Sequence, residues 1–179
     1  MKKFKKLNNE VFYAVKKITE INSNDILFLK SNVDRTKKKR IRICTHLNEK
    51  NKLQEMFIAL SKKTYIRPHK HFNKSESLHV IHGAADVVFF NNSGKVKKII
   101  SLSKTEKLSS MYYRVSEPVF HTFIVKSDCF IFHESTQGPL KKSDSLFAPW
   151  SPKDTELEKI KLFKQKIKEE VKRFKKSKQ

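Results

Sequence analysis

Four of the chain's seven histidines fall between Pro68 and Gly83, in the stretch "PHKHFNKSESLHVIHG". Imidazole nitrogens ligate transition metals, and two of them at positions i and i+2 of an extended segment lie on the same side of it. His69 and His71 can therefore offer nitrogen to a single cation at roughly 2.0–2.2 Å. The same alternation puts Tyr65 and Arg67 on that face. One tyrosine, one arginine and two histidines pointing the same way make a poor apolar core and a good polar pocket. Glu76 opens the next run, one hairpin later, so an adjacent antiparallel strand brings its carboxylate beside the two rings. Within that run Glu76, Leu78, Val80 and His82 share one parity, and Ser77, His79 and Ile81 share the other. His79 thus points away from Glu76, and His82 belongs to the turn set by Gly83.

The elements around this stretch must place it. Residues 35–150 read as short alternating runs separated by turn signals: Arg40–His46, Leu53–Leu60, Thr64–His71, Ser77–Gly83, Ala85–Phe90, Lys95–Leu102, Met111–Ser116, His121–Ser127 and Cys129–Ser135. "NNSG" (Asn91–Gly94) joins two of them as a hairpin, with Gly94 free to take positive φ. Regularly spaced strands without intervening helices predict a mainly β chain, a jelly-roll sandwich or barrel. Residues 1–34 form a different zone, where Val11, Val15 and Ile18 at helical spacing predict a short amphipathic helix packed on the barrel. "NDILFLKSN" after it fits a helical turn or an edge strand equally well. Residues 151–179 predict one long basic amphipathic helix. Ser151 is its N-cap and Pro152 its first residue, and Leu157, Ile160, Phe163, Ile167, Val171 and Phe174 form its apolar stripe. That stripe fits against the barrel, a dimer mate or a membrane surface.

Composition narrows the classes. The 179 residues suit one domain with an appendage, and fourteen phenylalanines offset a hydrophobic fraction of 37%. Forty Lys and Arg against eighteen Asp and Glu leave a formal charge of +22, which favours anionic partners. The abundance of Lys, Asn, Ile and Phe fits an AT-rich bacterial genome as well. The basic runs "RTKKKRIR" and "KRFKKSK" carry no RNP, helix-turn-helix or zinc-finger signature, so nucleic acid is not the expected partner. Cys44 and Cys129, the only cysteines, make neither a disulfide framework nor a metal knuckle and read as small buried hydrophobes. No apolar run approaches the ~20 residues of a membrane span, and the N-terminus lacks a signal-peptide core. A cytoplasmic protein is expected.

His-x-His, four residues, Glu, six residues, Gly: His69, His71, Glu76 and Gly83 resemble the first motif of the cupin superfamily. Its second motif supplies one more histidine after a Pro/Gly turn, and "EPVFHTFIV" offers Pro118 and His121, without the usual Gly between them. Together with "RICTH", "QEMFIAL", "HESTQGP" and "APWSP", residues 8–152 resemble the WbuC-type cupin metalloproteins, found among bacterial genes for O-antigen and other surface polysaccharides. The resemblance implies a cupin jelly roll with one divalent transition metal ion (Zn, Fe, Mn or Ni) held by His69, His71, Glu76 and His121. It also implies a small anionic, sugar-type substrate and, as often in cupins, a homodimer.

On that reading Arg67, Arg42, His46 and Glu134 are candidates to bind substrate. Glu55 and Tyr65 are candidates to move a proton. Glu55, an acid in an apolar strand, must pair or shift its pKa, with Arg42 or Arg67 as the expected partner. His133, opposite in parity to Glu134, is expected outside. A metal-dependent isomerase or epimerase is the first expectation. An iron-dependent oxygenase and a non-catalytic metal- or sugar-binding module are the alternatives.

Overall fold

The computed structural model describes residues 3–139 and 141–177. Twelve strands and two α-helices run in the order β1 (Phe4–Lys6), β2 (Val11–Ala14), α1 (Ser23–Asn32), β3 (Arg40–Cys44), β4 (Leu53–Ser61), β5 (His69–His71), β6 (Glu76–His82), β7 (Ala84–Phe90), β8 (Val96–Ser103), β9 (Tyr112–Val115), β10 (Phe120–Val125), β11 (Cys129–Gln137), β12 (Ser145–Phe147) and α2 (Leu157–Lys176). They make a seven-stranded sheet ordered β1-β2-β3-β4-β11-β6-β9 and a five-stranded sheet ordered β12-β5-β10-β7-β8. Consecutive strands repeatedly switch sheets, and all pairings are antiparallel except β2 with β3. This is a jelly-roll sandwich, the fold class expected from the strand pattern.

Alternation decides what lies between the sheets. Leu78 and Val80 of β6, Val87 and Phe89 of β7, Val125 of β10 and Phe130 and Phe132 of β11 meet there as the central core. Two outer faces are also apolar, and each carries a helix. Ile41 and Ile43 of β3, Ala59 of β4 and Ile131 of β11 pack against Leu29 of α1 and the following Val33. Val88 and Phe90 of β7 and Phe120 of β10 pack with Ala148 against Ile167 and Val171 of α2. This is why β7 is buried along its whole length, while most other strands alternate. Burying Ile167 and Val171 contributes roughly 1.5–3 kcal/mol each.

Two glycines are demanded by geometry. Gly83, at the turn from β6 to β7, has φ +80°, and a Cβ there would collide with the Cys129 carbonyl. Gly94 closes the Asn91–Gly94 hairpin at φ +86° with the Trp150 ring against it.

The N-terminal zone differs from the expected helix. Val11–Ala14 is a strand, paired in parallel with β3 (Val11 opposite Arg42). The helical spacing there was coincidental: Val15 and Ile18 are exposed, at 48% and 92%. Sheet pairing outweighs a weak local pattern. The helix lies later, in the segment that periodicity left open. Asn22 caps it, accepting from the Asn24 and Asp25 amides, while the Asp25 carboxylate accepts from the Asn22 amide.

The C-terminal helix also begins later than its expected cap. Glu156, not Ser151, precedes its first turn. The Ser151 hydroxyl is taken up instead, donating to the Ala148 carbonyl at 2.7 Å and accepting from Arg67 Nε at 3.1 Å. Residues 178 and 179 of the expected helix lie outside the described residues.

Candidate metal centre

His69 on β5 and His121 on β10 are direct partners in the ladder of the five-stranded sheet. His71 lies two residues further along the same face of β5. Strand alternation turns all three inward, where one ring nitrogen from each lies within 4.8 Å of the others. The rings of His69 and His121 are 4.6 Å apart, and those of His69 and His71 4.9 Å apart. Glu76 reaches in from the opposite sheet. Its Oε1 is 3.1 Å from His121 Nε2, and its Oε2 is 3.5 Å from His71 Nε2.

The other nitrogen of each ring is engaged from behind. His69 Nδ1 lies 2.9 Å from the Arg67 carbonyl and His121 Nδ1 lies 3.0 Å from the Val119 carbonyl. A carbonyl can only accept, so in both rings Nδ1 carries a proton and Nε2 faces the centre. His71 Nδ1 is held by the Ser145 hydroxyl at 2.8 Å. Backing of this kind orients metal-binding histidines.

Burial pushes the His69 pKa down to about 3, helped by the neighbouring His121 and His71. Burial likewise lowers His71, against the opposing charge of Glu76. Burial by itself would raise Glu76, but the charge of His121 and the hydrogen bond to it, with His71 and His69 adding, bring it down to about 2. His121 moves up: the Glu76 carboxylate beside it outweighs the effect of burial. An ionised carboxylate among inward-facing, largely neutral imidazoles is a donor set that a divalent transition metal fits.

This cluster forms one wall of a cavity of about 400 Å³ between the sheets. Arg42, His46 and Glu134 line it too, joined by Tyr13, Cys44 and Lys74, which the sequence reading had not placed there. Burial pushes Glu134 up to about 8, the negative charge of Glu76 adding to the effect. Tyr113, buried beside Glu76 and Glu134, is raised well above its ordinary value by burial first and by those charges second. Ser145 and Tyr113 were also missed. Ser145 carries no motif, and it reaches His71 only because β12 pairs with β5.

Three expected site residues lie elsewhere. Glu55 is on the outward parity of β4, opposite to Gln54, Met56 and Ile58, and its side chain is 40% exposed. Its partners are His133, 3.7 Å away, and the Ser135 hydroxyl, rather than Arg42 or Arg67. Tyr65 donates to the Pro152 carbonyl at 3.0 Å and sets its ring against Phe163 of α2. Burial pushes its pKa up to about 12. The Arg67 guanidinium bonds Ser151 and the Ala148 carbonyl and lies over Phe147. The reason is common to Tyr65 and Arg67. Residues 64–68 are not a strand, so the parity that holds for His69 and His71 does not extend back to them. Arg67 serves the site through its backbone carbonyl instead.

Comparison with known proteins adds the following. A sequence family described as a domain of unknown function (DUF6016) matches residues 21–102, less than half of the chain. No curated protein matches it. Among solved structures, a Shewanella oneidensis protein overlaps 55% of this chain and 63% of its own, at 9% identity and a TM-score of 0.47. A mutant oxalate decarboxylase of Bacillus subtilis overlaps 60% and 27%, at 14% identity and a TM-score of 0.46. A sugar phosphate isomerase from a cupin superfamily, from Silicibacter pomeroyi, overlaps 49% and 52%, at 15% identity and a TM-score of 0.38. Each overlap spans less than two thirds of the other protein. Among the described residues no helix is long and apolar enough to cross a membrane.

Proposed function

We propose that this chain is a metal-dependent cupin that binds a small anionic molecule in the inter-sheet cavity and transforms it there. The observation that carries the reading is the convergence of His69, His71 and His121 from one sheet with Glu76 from the other. These four residues would hold one divalent transition metal ion. Such an ion supplies Lewis acidity, polarising a carbonyl or hydroxyl oxygen of a bound molecule.

The chain's own groups divide the remaining work. The carbonyls of Arg67 and Val119 and the Ser145 hydroxyl fix the rings. Glu134, inside the cavity and held toward its protonated form, takes the proton-transfer role that Glu55 and Tyr65 are too far outside to fill. Arg42 draws an anion to the same space. The finer assignment is isomerisation or epimerisation of an activated sugar for a surface polysaccharide, by a homodimer. It rests on the WbuC resemblance of residues 8–152.

The test is metal analysis of protein purified without added metal, beside His69→Ala and Glu76→Ala. Bound metal in the parent chain and its loss in both variants is the expected result. Equal metal content in all three would overturn the reading.

A further inference from the structure

The end of the cavity built by β3 carries two buried nitrogens with no hydrogen-bond partner among the described residues, Arg42 Nε and His46 Nε2. His46 is only 8% exposed, and both residues line the cavity. The proton on His46 can be placed. Its Nδ1 lies 3.0 Å from both the Glu55 amide, which can only donate, and the Glu55 carbonyl, which can only accept. The carbonyl already accepts from the Thr45 amide at 2.9 Å and the Thr45 hydroxyl at 3.2 Å. Nδ1 therefore accepts, and Nε2 carries a hydrogen aimed at no acceptor among the described residues. Buried donors are almost always paired, so this pair calls for an acceptor from outside the chain.

Charge and position narrow what that acceptor is. Burial keeps the His46 ring toward its neutral form. At this end of the cavity Arg42 brings one guanidinium charge, and Glu10 and Arg40 are also on the lining. One positive charge and two N–H donors match a carboxylate, which brings one negative charge and two oxygens. A phosphate dianion brings a second charge and a third oxygen. In the order β3-β4-β11-β6, β3 lies three strand positions from the strand of Glu76, on the order of 14 Å at ~4.8 Å per step. Glu134 on β11 stands between the two ends.

We infer that Arg42 and His46 form a carboxylate-binding subsite at the far end of the cavity from the histidine cluster, and that the molecule this site accepts is a small acid with a second oxygen function directed at that cluster. The second half of this statement rests on the metal reading; the first half does not.

The test is calorimetric titration of the full chain with L-lactate, its neutral amide and inorganic phosphate, with and without zinc. Lactate binds saturably under both conditions, lactamide does not, and phosphate competes poorly. Arg42→Gln weakens lactate by at least about tenfold, and Arg42→Lys, which keeps the charge but loses the Nε–H, weakens it measurably. No saturable lactate binding, tighter binding of phosphate, or unchanged affinity in both Arg42 variants would overturn the subsite. Lactate binding that needs zinc and ignores Arg42 sinks the subsite and leaves the metal reading standing. Arg42-dependent lactate binding by a chain that never takes up zinc does the reverse.

Discussion

Glu76 Oε1 lies 3.1 Å from His121 Nε2, although the two residues belong to different sheets. The contact ties the two sheets together through charge rather than apolar packing. Residues from both sheets are needed to complete the cluster, so its integrity reports on the closure of the whole jelly roll.

The backing of His71 gives a graded test. Ser145→Ala removes the partner that His71 Nδ1 has among the described residues while leaving the imidazole in place. Metal affinity should fall by about 10–100-fold, the usual cost of losing an outer partner, with little change in fold by circular dichroism. Competition with a chromophoric chelator measures it; affinity equal to that of the parent would show that Ser145 does not orient the ring.

Acid stability of the metal-free chain follows from two groups shifted downward. His69, at about 3, binds fewer protons folded than unfolded, so its contribution is complete above the ordinary histidine value of ~6.5 and is lost as pH falls toward 3. Glu76, at about 2, adds a further loss as pH falls from ~4.5 toward 2. The melting temperature should begin to drop below about pH 6.5 and drop more steeply below about 4.5. In His69→Gln the upper part of the decline should be smaller.

Glu134 works in the opposite sense. A carboxyl raised to about 8 holds its proton when folded, so the stability it confers is full below ~4.5 and is lost as pH rises toward 8. Glu134→Gln removes that loss. The variant should gain a few degrees of melting temperature relative to the parent at pH 8 and much less at pH 5. An equal offset at both values would mean that the carboxyl is ionised throughout.

The helix contact is tested by Ile167→Ala, which empties a buried site against Val88 and Phe90. The expected cost is about 2–4 kcal/mol. Leu162→Ala, on the same helix but 66% exposed, should cost well under about 1 kcal/mol. Comparable losses at the two positions would contradict the packing described.

Gly83→Ala should be among the most damaging single-methyl changes in the chain. The backbone there has φ +80°, and the added carbon meets the Cys129 carbonyl. Urea denaturation should show a loss of roughly 1–3 kcal/mol or more.

Much of the site could be read from spacing because β6 is an uninterrupted strand, so parity alone sorted Glu76 from His79. His69 and His71 were legible for the same reason. The errors came where parity was carried past the end of a strand, as at Tyr65 and Arg67, or where an acid was taken as buried before its face was known. Glu55 has apolar neighbours because β4 is covered on both sides, by the cavity and by α1; the acid itself lies at the open end. β12 and the N-terminal strands were invisible, since three- and four-residue strands carry too little pattern to stand out. Ser145 was beyond reach for a further reason: its role exists only through pairing with β5.

The doubly covered strand β7 has a consequence for biosynthesis. The surface formed by Val88, Phe90 and Phe120 is complete long before Ile167 and Val171 leave the ribosome. Until those last turns emerge, the nascent sandwich displays a greasy sheet face to the cell. Prematurely terminated chains should therefore be caught by chaperones or precipitate, even though every residue of the histidine cluster has already been made.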